Sequence, residues 1–330
     1  MVSGPMPVSE ISVVLIGRNE GERLASALRS IVGKVKRIVY VDSASTDGSI
    51  ETARKAGAQI VQLDMAKPFT AARARNAGFA ELLRQEPNLD LVQFVDGDCS
   101  LDEHWLETTS DFLAAHPEVA LVCGRRRERF PERTIFNRMC DIEWDTPIGE
   151  THQSGGDFLV RRKAFEEVGG FAEHMIAGEE PELCARLRYA GWKIWRLDAE
   201  MTVHDADIRQ PQQWWRRAVR AGYAYASLAH AHGKGPDHHS MRSVKSALIW
   251  GAGLPLLIAG GALAYPPVIA VAAVYPAQAL RIGLRKRHLG AYAPVYGGFI
   301  VLGKFAEAIG IAKFARARLR GREHALIEYK

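Results

Sequence analysis

Leu91-Val92-Gln93-Phe94-Val95-Asp96-Gly97-Asp98 is the stretch on which the fold turns. A mainly apolar run passes straight into two carboxylates separated by glycine. A strand ending this way presents both carboxylates at the carboxyl edge of a sheet, where open α/β folds bind their ligands. Such an edge can hold a hard divalent cation, Mg²⁺ or Mn²⁺. These ions take one or two protein carboxylates and leave their other positions to phosphate oxygens and water. The partner implied is a diphosphate. Asp-Gly also opens ordinary turns, so the triplet gains meaning only from its surroundings.

Upstream, short apolar runs at Ile11 to Ile16, Arg37 to Val41 and Gln59 to Leu63 read as strands that precede Leu91 to Val95. Between them Leu24, Ala27, Leu28 and Ile31, and later Phe79, Leu82 and Leu83, recur at helical spacing. Repeated βα units imply an α/β fold with a mostly parallel sheet covered by helices on both faces. Gly17-Arg18-Asn19-Glu20 follows the first strand, so the Gly-x-Gly-x-x-Gly fingerprint of dinucleotide folds is missing. From Glu118 to about His204 further strand-like runs (Val119 to Val122, Phe158 to Val160, Lys193 to Leu197) read as the rest of the sheet and an acceptor-facing half.

The chain has 330 residues and a net charge of +5, with the basic excess C-terminal, at Arg281, Arg285, Lys286, Arg287, Lys313, Arg316, Arg318, Arg320 and Arg322. No groove-reading or aromatic nucleic-acid element accompanies it, so anionic membrane lipid is the expected partner and nucleic acid is not. Cys99, Cys123, Cys140 and Cys184 form no Cys-x-x-Cys pair, which excludes a zinc knuckle and a redox motif. Met1 to Glu10 does not read as a secretory signal.

Gln212 to Ala226 carries Trp214 and Trp215 beside arginines, as at a membrane interface, and Gly233 to Ser240 reads as a linker. His230, His232, His238 and His239 match no metal spacing. Ala247 to Leu280 holds no charged residue and is broken at Tyr265-Pro266-Pro267, which predicts a hairpin of two membrane passes. Arg242 and Lys245 at one end and Arg281 to Arg287 at the other place both ends, and the catalytic half, on the cytoplasmic side of the cell membrane. Ala291 to Phe314 contains Lys304 and Glu307, so a third span and a partly embedded helix stay equally open. The domains expected are 1–232 catalytic, 233–243 linker and 244–330 membrane-associated.

Glu179, Glu180 and Glu182 surround Pro181, a favoured first helical residue, and Gly191 marks the expected end of a helix from Pro181 to Ala190. Read alone, the cluster is an acidic first turn, favourable to the helix dipole. Asp42 and Asp47 flank a turn that either binds a base or is simply an Asx turn and cap. Asp157 follows Gly155-Gly156, which suits close approach to a ligand or a bulge.

Taken in order, these segments resemble family 2 inverting glycosyltransferases of the GT-A fold. Ile11 to Glu20, Val41 to Gly48, Ala74-Arg75-Asn76-Ala77-Gly78, Asp96-Gly97-Asp98, Ser154-Gly155-Gly156-Asp157-Phe158 and Gly178 to Leu183 each match a motif of that family, over about two thirds of the chain. The resemblance implies nucleotide contacts at Asn19, Glu20, Asp42, Arg75 and Asp96. It implies a Mn²⁺ or Mg²⁺ site at Asp96, Asp98 and His204, and a donor and acceptor loop at Gly155, Gly156 and Asp157. Glu180 becomes the catalytic base, with Glu179 and Glu182 its rivals. The partners implied are a nucleoside-diphosphate sugar, UDP first among them, and a lipid-linked or saccharide acceptor. Arg18, Ser43 and Glu180 depart from the commoner aromatic, acidic and aspartate residues. Gln212 to Arg217 only loosely echoes the Gln-x-x-Arg-Trp of processive polysaccharide synthases, the alternative within enzymes. A catalytically silent scaffold of the same fold is the alternative outside them.

Overall fold

The computed structural model describes residues 7–235 and 239–321; Pro236, Asp237 and His238 of the expected linker and Arg322 of the basic tail lie outside them. Two compact units divide the chain, Met1–Arg209 and Gln210–Lys330.

In the first unit β1 (Ser12–Gly17), α1 (Glu22–Ile31), β2 (Arg37–Asp42), α2 (Ser49–Lys55), β3 (Gln59–Gln62), α3 (Ala71–Gln85) and β4 (Leu91–Asp96) give the expected alternation. There follow β5 (Cys99–Leu101), α4 (Trp105–Ala115), β6 (Val119–Glu128), α5 (Ile135–Glu143), β7 (Gly149–Glu150), β8 (Phe158–Arg161), α6 (Arg162–Glu167), α7 (Glu179–Tyr189) and β9 (Lys193–His204). The sheet order is β3-β2-β1-β4-β8-β6-β9-β5, with β7 on β9. The β1, β2, β3 and β4 pairings are parallel. By contrast β8 lies antiparallel between β4 and β6, and β9 runs parallel to β6. This is the mixed α/β sheet of a GT-A domain.

Two strands outrun the apolar runs that announced them: β6 continues past Val122 to Glu128, and β9 past Leu197 to His204. Hydropathy reads their arginines and acids as loop. The charges stay in the sheet because they are paired, Arg126 with Asp157 at 2.7 Å and Arg127 with Glu200 at 2.6 Å. Gln93, fully buried in β4, is satisfied in the same way. It accepts the Trp105 indole N–H at 2.9 Å and donates to the Phe94 carbonyl at 2.8 Å. Around Phe94 the rings of Phe158, Phe165 and Phe171 lie with centroids 5.3, 5.4 and 5.5 Å away.

Helix α3 seats directly on β1 and β2 at Gly78, where a Cβ would lie 2.4 Å from Val14 Cγ1 and 2.9 Å from Val41 Cγ2. Gly78→Ala is therefore expected to lower stability by about 1–3 kcal/mol, the usual cost of overpacking. A urea midpoint equal to that of the parent would show that α3 shifts without strain.

The second unit begins with α8 (Pro211–His232), opened by a capping box between Gln210 and Gln213. This helix, which the sequence reading counted with the catalytic segment, thus falls in the C-terminal unit. Trp214 is buried, edge-on to Phe299 at 4.8 Å. Of the two tryptophans expected at an interface, Trp215 is the one exposed. The expected linker ends earlier than 243, because α9 (His239–Leu248) already starts within it. Through a π-helical turn α9 continues into α10 (Leu254–Ala264), and after Tyr265 the chain reverses into a 3₁₀ stretch and α11 (Val274–Arg285).

Ser240–Ala264 and Pro266–Arg285 are long and apolar enough to cross a membrane, and so is the continuous α12 (Tyr292–Leu319). The apolar window of α12 is 39% buried against 11% and 6% for the other two, so α12 is the inner helix of this unit. Lys304 and Glu307 are tolerated on it as a mutual ion pair at 2.7 Å.

Candidate active site

At the carboxyl end of β1, Asn19 adopts a left-handed φ of 55°. Its N–H donates to Ser45 Oγ at 2.9 Å and its Oδ1 accepts the Thr46 N–H at 2.7 Å. Asp47 makes the reciprocal stitch, accepting N–H groups of Gly21 (2.9 Å) and Ser49 (3.1 Å). Burial opposes its charge, but the hydrogen bonds from Ser49 and Gly21 outweigh burial and lower its pKa. Asp42 is 1% exposed and accepts the Tyr40 hydroxyl (3.1 Å) and the Ser45 N–H (2.9 Å). Glu20 pairs with Arg23 at 2.8 Å. Asn19, Glu20 and Asp42 therefore meet at one sheet edge, with Asn19 and Asp42 shaping the two loops there.

Arg75 reaches this edge from the second turn of α3. It is 3% exposed, contacts Asp96 at 2.7 Å and Glu179 at 3.0 Å, and lies 5.4 Å from the Phe171 ring centroid. Gly156 packs over this pair so closely that a Cβ there would lie 2.6 Å from Asp96 Oδ2 and 2.8 Å from Arg75 Nη2. Its neighbour Gly155 has φ +86°, in the left-handed region. Asp157, expected as an acceptor contact, is fully buried and makes three internal bonds. It accepts the Asp96 N–H (2.9 Å), Arg126 Nη2 (2.7 Å) and Thr202 Oγ1 (3.0 Å), and so fixes the end of β4.

Asp98 immediately precedes β5, whose Cys99 pairs with His204 of β9, and Asp98 Oδ1 lies 3.4 Å from His204 Nε2. Donor atoms of Asp98, Cys99 and His204 all lie within 4.8 Å of one another, so one ion can reach all three. His204 Nδ1 is buried without a hydrogen-bond partner among the described residues. Trp144 closes the site, its ring edge-on to His204 at 4.7 Å and 5.7 Å from the Arg126 guanidinium. A carboxylate and an imidazole suit Mn²⁺ well and Mg²⁺ less well, so the residues present fit the expected ion.

The helix α7 starts at Glu179, two residues before Pro181, which puts both acids inside its first turn. Glu180 is 6% exposed. Its Oε1 accepts Ser154 N–H, Ser154 Oγ–H at 2.8 Å and the Cys184 thiol at 2.9 Å. Burial raises its pKa more than these bonds lower it. Oε1 thus carries three hydrogen bonds. Glu182 is held in a two-pronged pair with Arg186 at 2.8 and 2.6 Å. Arg126, Trp144, Thr202 and Cys184 were given no part in the site from sequence, and Ser154 entered only as the first residue of a loop motif. Cys184 could have been given one, since it stands one helical turn after Glu180.

A mixed sheet with paired acids at the end of β4 and a buried carboxylate on a following helix defines the GT-A class. Residues 12–171 match the model described as Glycosyl transferase family 2. The Pre-mycofactocin glycosyltransferase of Mycobacterium tuberculosis is 29% identical over 288 residues, covering 79% of this chain and 54% of the relative. The chain thus spans about half the length of that relative. O-antigen chain rhamnosyltransferase RfbN of Salmonella typhimurium is 24% identical over 235 residues, 66% of this chain and 73% of its own. The structure of the mannosyltransferase PcManGT from Pyrobaculum calidifontis in complex with GDP-Man and Mn²⁺ has a TM-score of 0.60 at 20% identity, covering 94% of this chain and 89% of that one. Residues 12–171 thus form a glycosyl transferase family 2 domain with the GT-A fold, and the chain carries C-terminal apolar helices of the kind that associate with membranes.

Proposed function

We propose that the protein is a membrane-attached, metal-dependent inverting glycosyltransferase that moves a sugar from a nucleoside-diphosphate sugar to a lipid-linked or membrane-proximal acceptor. The observation that carries this reading is the gathering of two sets of charged side chains around the end of β4. Asp98 pairs with His204, and two residues earlier Asp96 pairs with Arg75, which also holds Glu179 next to the buried Glu180. Asp98 and His204 would hold the ion, which would supply charge neutralisation for the leaving diphosphate. Arg75 holds Asp96 and Glu179 at fixed positions. Glu180 takes the proton of the acceptor hydroxyl as its oxygen bonds to the anomeric carbon and the bond to the diphosphate breaks, a single displacement that inverts configuration. The fold shared with PcManGT, a structure that contains GDP-Man and Mn²⁺, supports the reading.

Calorimetric titration of the detergent-solubilised protein with UDP, GDP, TDP and CDP, each with and without Mn²⁺, tests it. Mn²⁺-dependent binding of one nucleotide is expected, with Mg²⁺ the weaker support. Binding of none of the four would leave the silent scaffold.

For location, the basic residues at both ends of the hairpin favour a cytoplasmic catalytic unit. Arg285 to Arg287 before α12 and Arg316, Arg318 and Arg320 at its end favour the same face for both ends of that helix. A C-terminal tag and the catalytic unit should be digested together by protease in inverted vesicles and be protected together in right-side-out ones. Digestion of one without the other would refute this orientation.

A further inference from the structure

A groove of about 580 Å³ in the first unit is lined by β6, β9 and the loop before β7, and its floor carries two buried arginines. The side chains of Arg125 and Arg196 are 8% and 3% exposed. Arg125 is held by Asp141, whose carbonyl and Oδ1 accept from Nη2 at 3.0 and 3.2 Å. Arg196 is held less well. It donates to the Leu197 carbonyl at 3.1 Å, and its Nε is buried with no hydrogen-bond partner among the described residues.

The carboxylates that face Arg196 stand at the rim, Asp145 64% and Asp198 85% exposed, at 3.4 and 3.9 Å. One oxygen, Asp145 Oδ1, is shared between Arg196 Nη2 at 3.4 Å and Arg125 Nε at 3.5 Å. These distances exceed the roughly 2.7–2.9 Å of a charge-assisted hydrogen bond. A guanidinium offers five N–H donors, and burying one half-served is costly. A carboxylate at the rim therefore marks, and only partly fills, a place where an anion bridges two fixed guanidinium groups.

We propose that Arg125 and Arg196 form a socket for a phosphate ester on the acceptor substrate. A phosphate presents several oxygens to the two planar forks, which match it bidentately. The groove is within the size range of ligand sites, roughly 300–1,000 Å³, so it takes the sugar or glycerol that bears the phosphate as well. In the chain it lies close to the segment that holds Glu180. Arg125 lies beside Arg126 near the carboxyl end of β6, and Gly149 of β7 pairs with Arg196. A few residues further on, Ser154 donates to Glu180. Naming the ligand an acceptor rests on the glycosyltransferase reading; the socket itself does not.

The test uses the full chain in neutral detergent, titrated with glycerol 3-phosphate and, separately, with mixed micelles containing phosphatidic acid. Arg196→Gln should weaken binding of the phosphate probe by at least about tenfold, the worth of one charge-assisted hydrogen bond. Asp145→Asn, a change at the exposed rim, should strengthen it severalfold, and glycerol should not bind. Preference for glycerol 3-phosphate marks a soluble phosphorylated acceptor; the same variant pattern with phosphatidic acid alone marks a lipid one. Affinities that do not move in either variant overturn the socket. Mn²⁺-dependent nucleotide binding on the same samples should stay within about twofold. Its absence from the parent while phosphate binding persists would refute the donor reading and leave the socket, and the reverse pattern would refute the socket alone.

Discussion

Glu180→Gln is expected to keep metal-supported nucleotide binding intact while transfer falls by about 10²–10⁴-fold, the range of general-base contributions. The amide keeps an oxygen that can accept from Ser154 and Cys184, so the pocket is preserved; what is lost is the basicity of the carboxylate. Loss of nucleotide binding in parallel with transfer would instead give Glu180 a structural role. Glu179→Gln separates this rival, because Glu179 is engaged with the buried Arg75 at 3.0 Å. Removing that charge should loosen Arg75 and Asp96 together and show in nucleotide affinity.

The acidity of Glu180 sharpens the same experiment. Its folded pKa is raised by burial, so wild-type turnover should rise with pH through a value above the ordinary carboxylate range. The sign for stability is opposite. A group with a raised folded pKa stabilises the fold below its unfolded pKa, about 4.3 for Glu, and loses that contribution as pH rises through the folded value. The melting temperature of Glu180→Gln relative to the parent should therefore increase with pH. A gap that is independent of pH would mean that Glu180 ionises in the fold as readily as it does in the unfolded chain.

Much of this site was written locally. The strand ending in Asp96-Gly97-Asp98, the βα repeat before it and the first turn of α7 are all set by neighbours in sequence, and periodicity and turn chemistry reveal such features. The break at Tyr265 was legible for the same reason. What escaped is the set of pairings between distant strands. Arg125 to Arg127 read as a charged loop because the partners that hold Arg126 and Arg127 in β6, Asp157 and Glu200, are 31 and 73 residues away. Asp157 looked available after two glycines, yet the fold spends its carboxylate on Asp96, Arg126 and Thr202. Trp214 looked interfacial until Phe299 of α12 covered it. In each case a long-range partner overrode a local preference, and no window along the chain contains both members.

Asp98→Ala should remove metal-supported nucleotide binding while leaving the fold intact. Asp98 supplies the oxygen nearest His204 Nε2, and without it the remaining donors of the cluster are an imidazole and a buried thiol. Without a carboxylate that pair holds Mn²⁺ or Mg²⁺ only weakly. Outer-shell partners of a metal ligand typically account for 10–100-fold in affinity, so loss of the ligand itself should cost at least about 100-fold. Thermal unfolding reads this without any turnover. Nucleoside diphosphate with Mn²⁺ at about a hundred times its Kd should stabilise the parent by about 2.7 kcal/mol. The Asp98→Ala protein should unfold at the same temperature with and without the pair. Asp157→Asn is the informative contrast. Asp157 lies outside the metal cluster and neutralises the half-buried Arg126, so its loss should lower the melting temperature of the free protein, with a Mn²⁺-dependent shift still present. If Asp98→Ala retained the shift and Asp157→Asn lost it, the ion would belong with Arg126 and Asp157, and the roles assigned to the two aspartates would have to be exchanged.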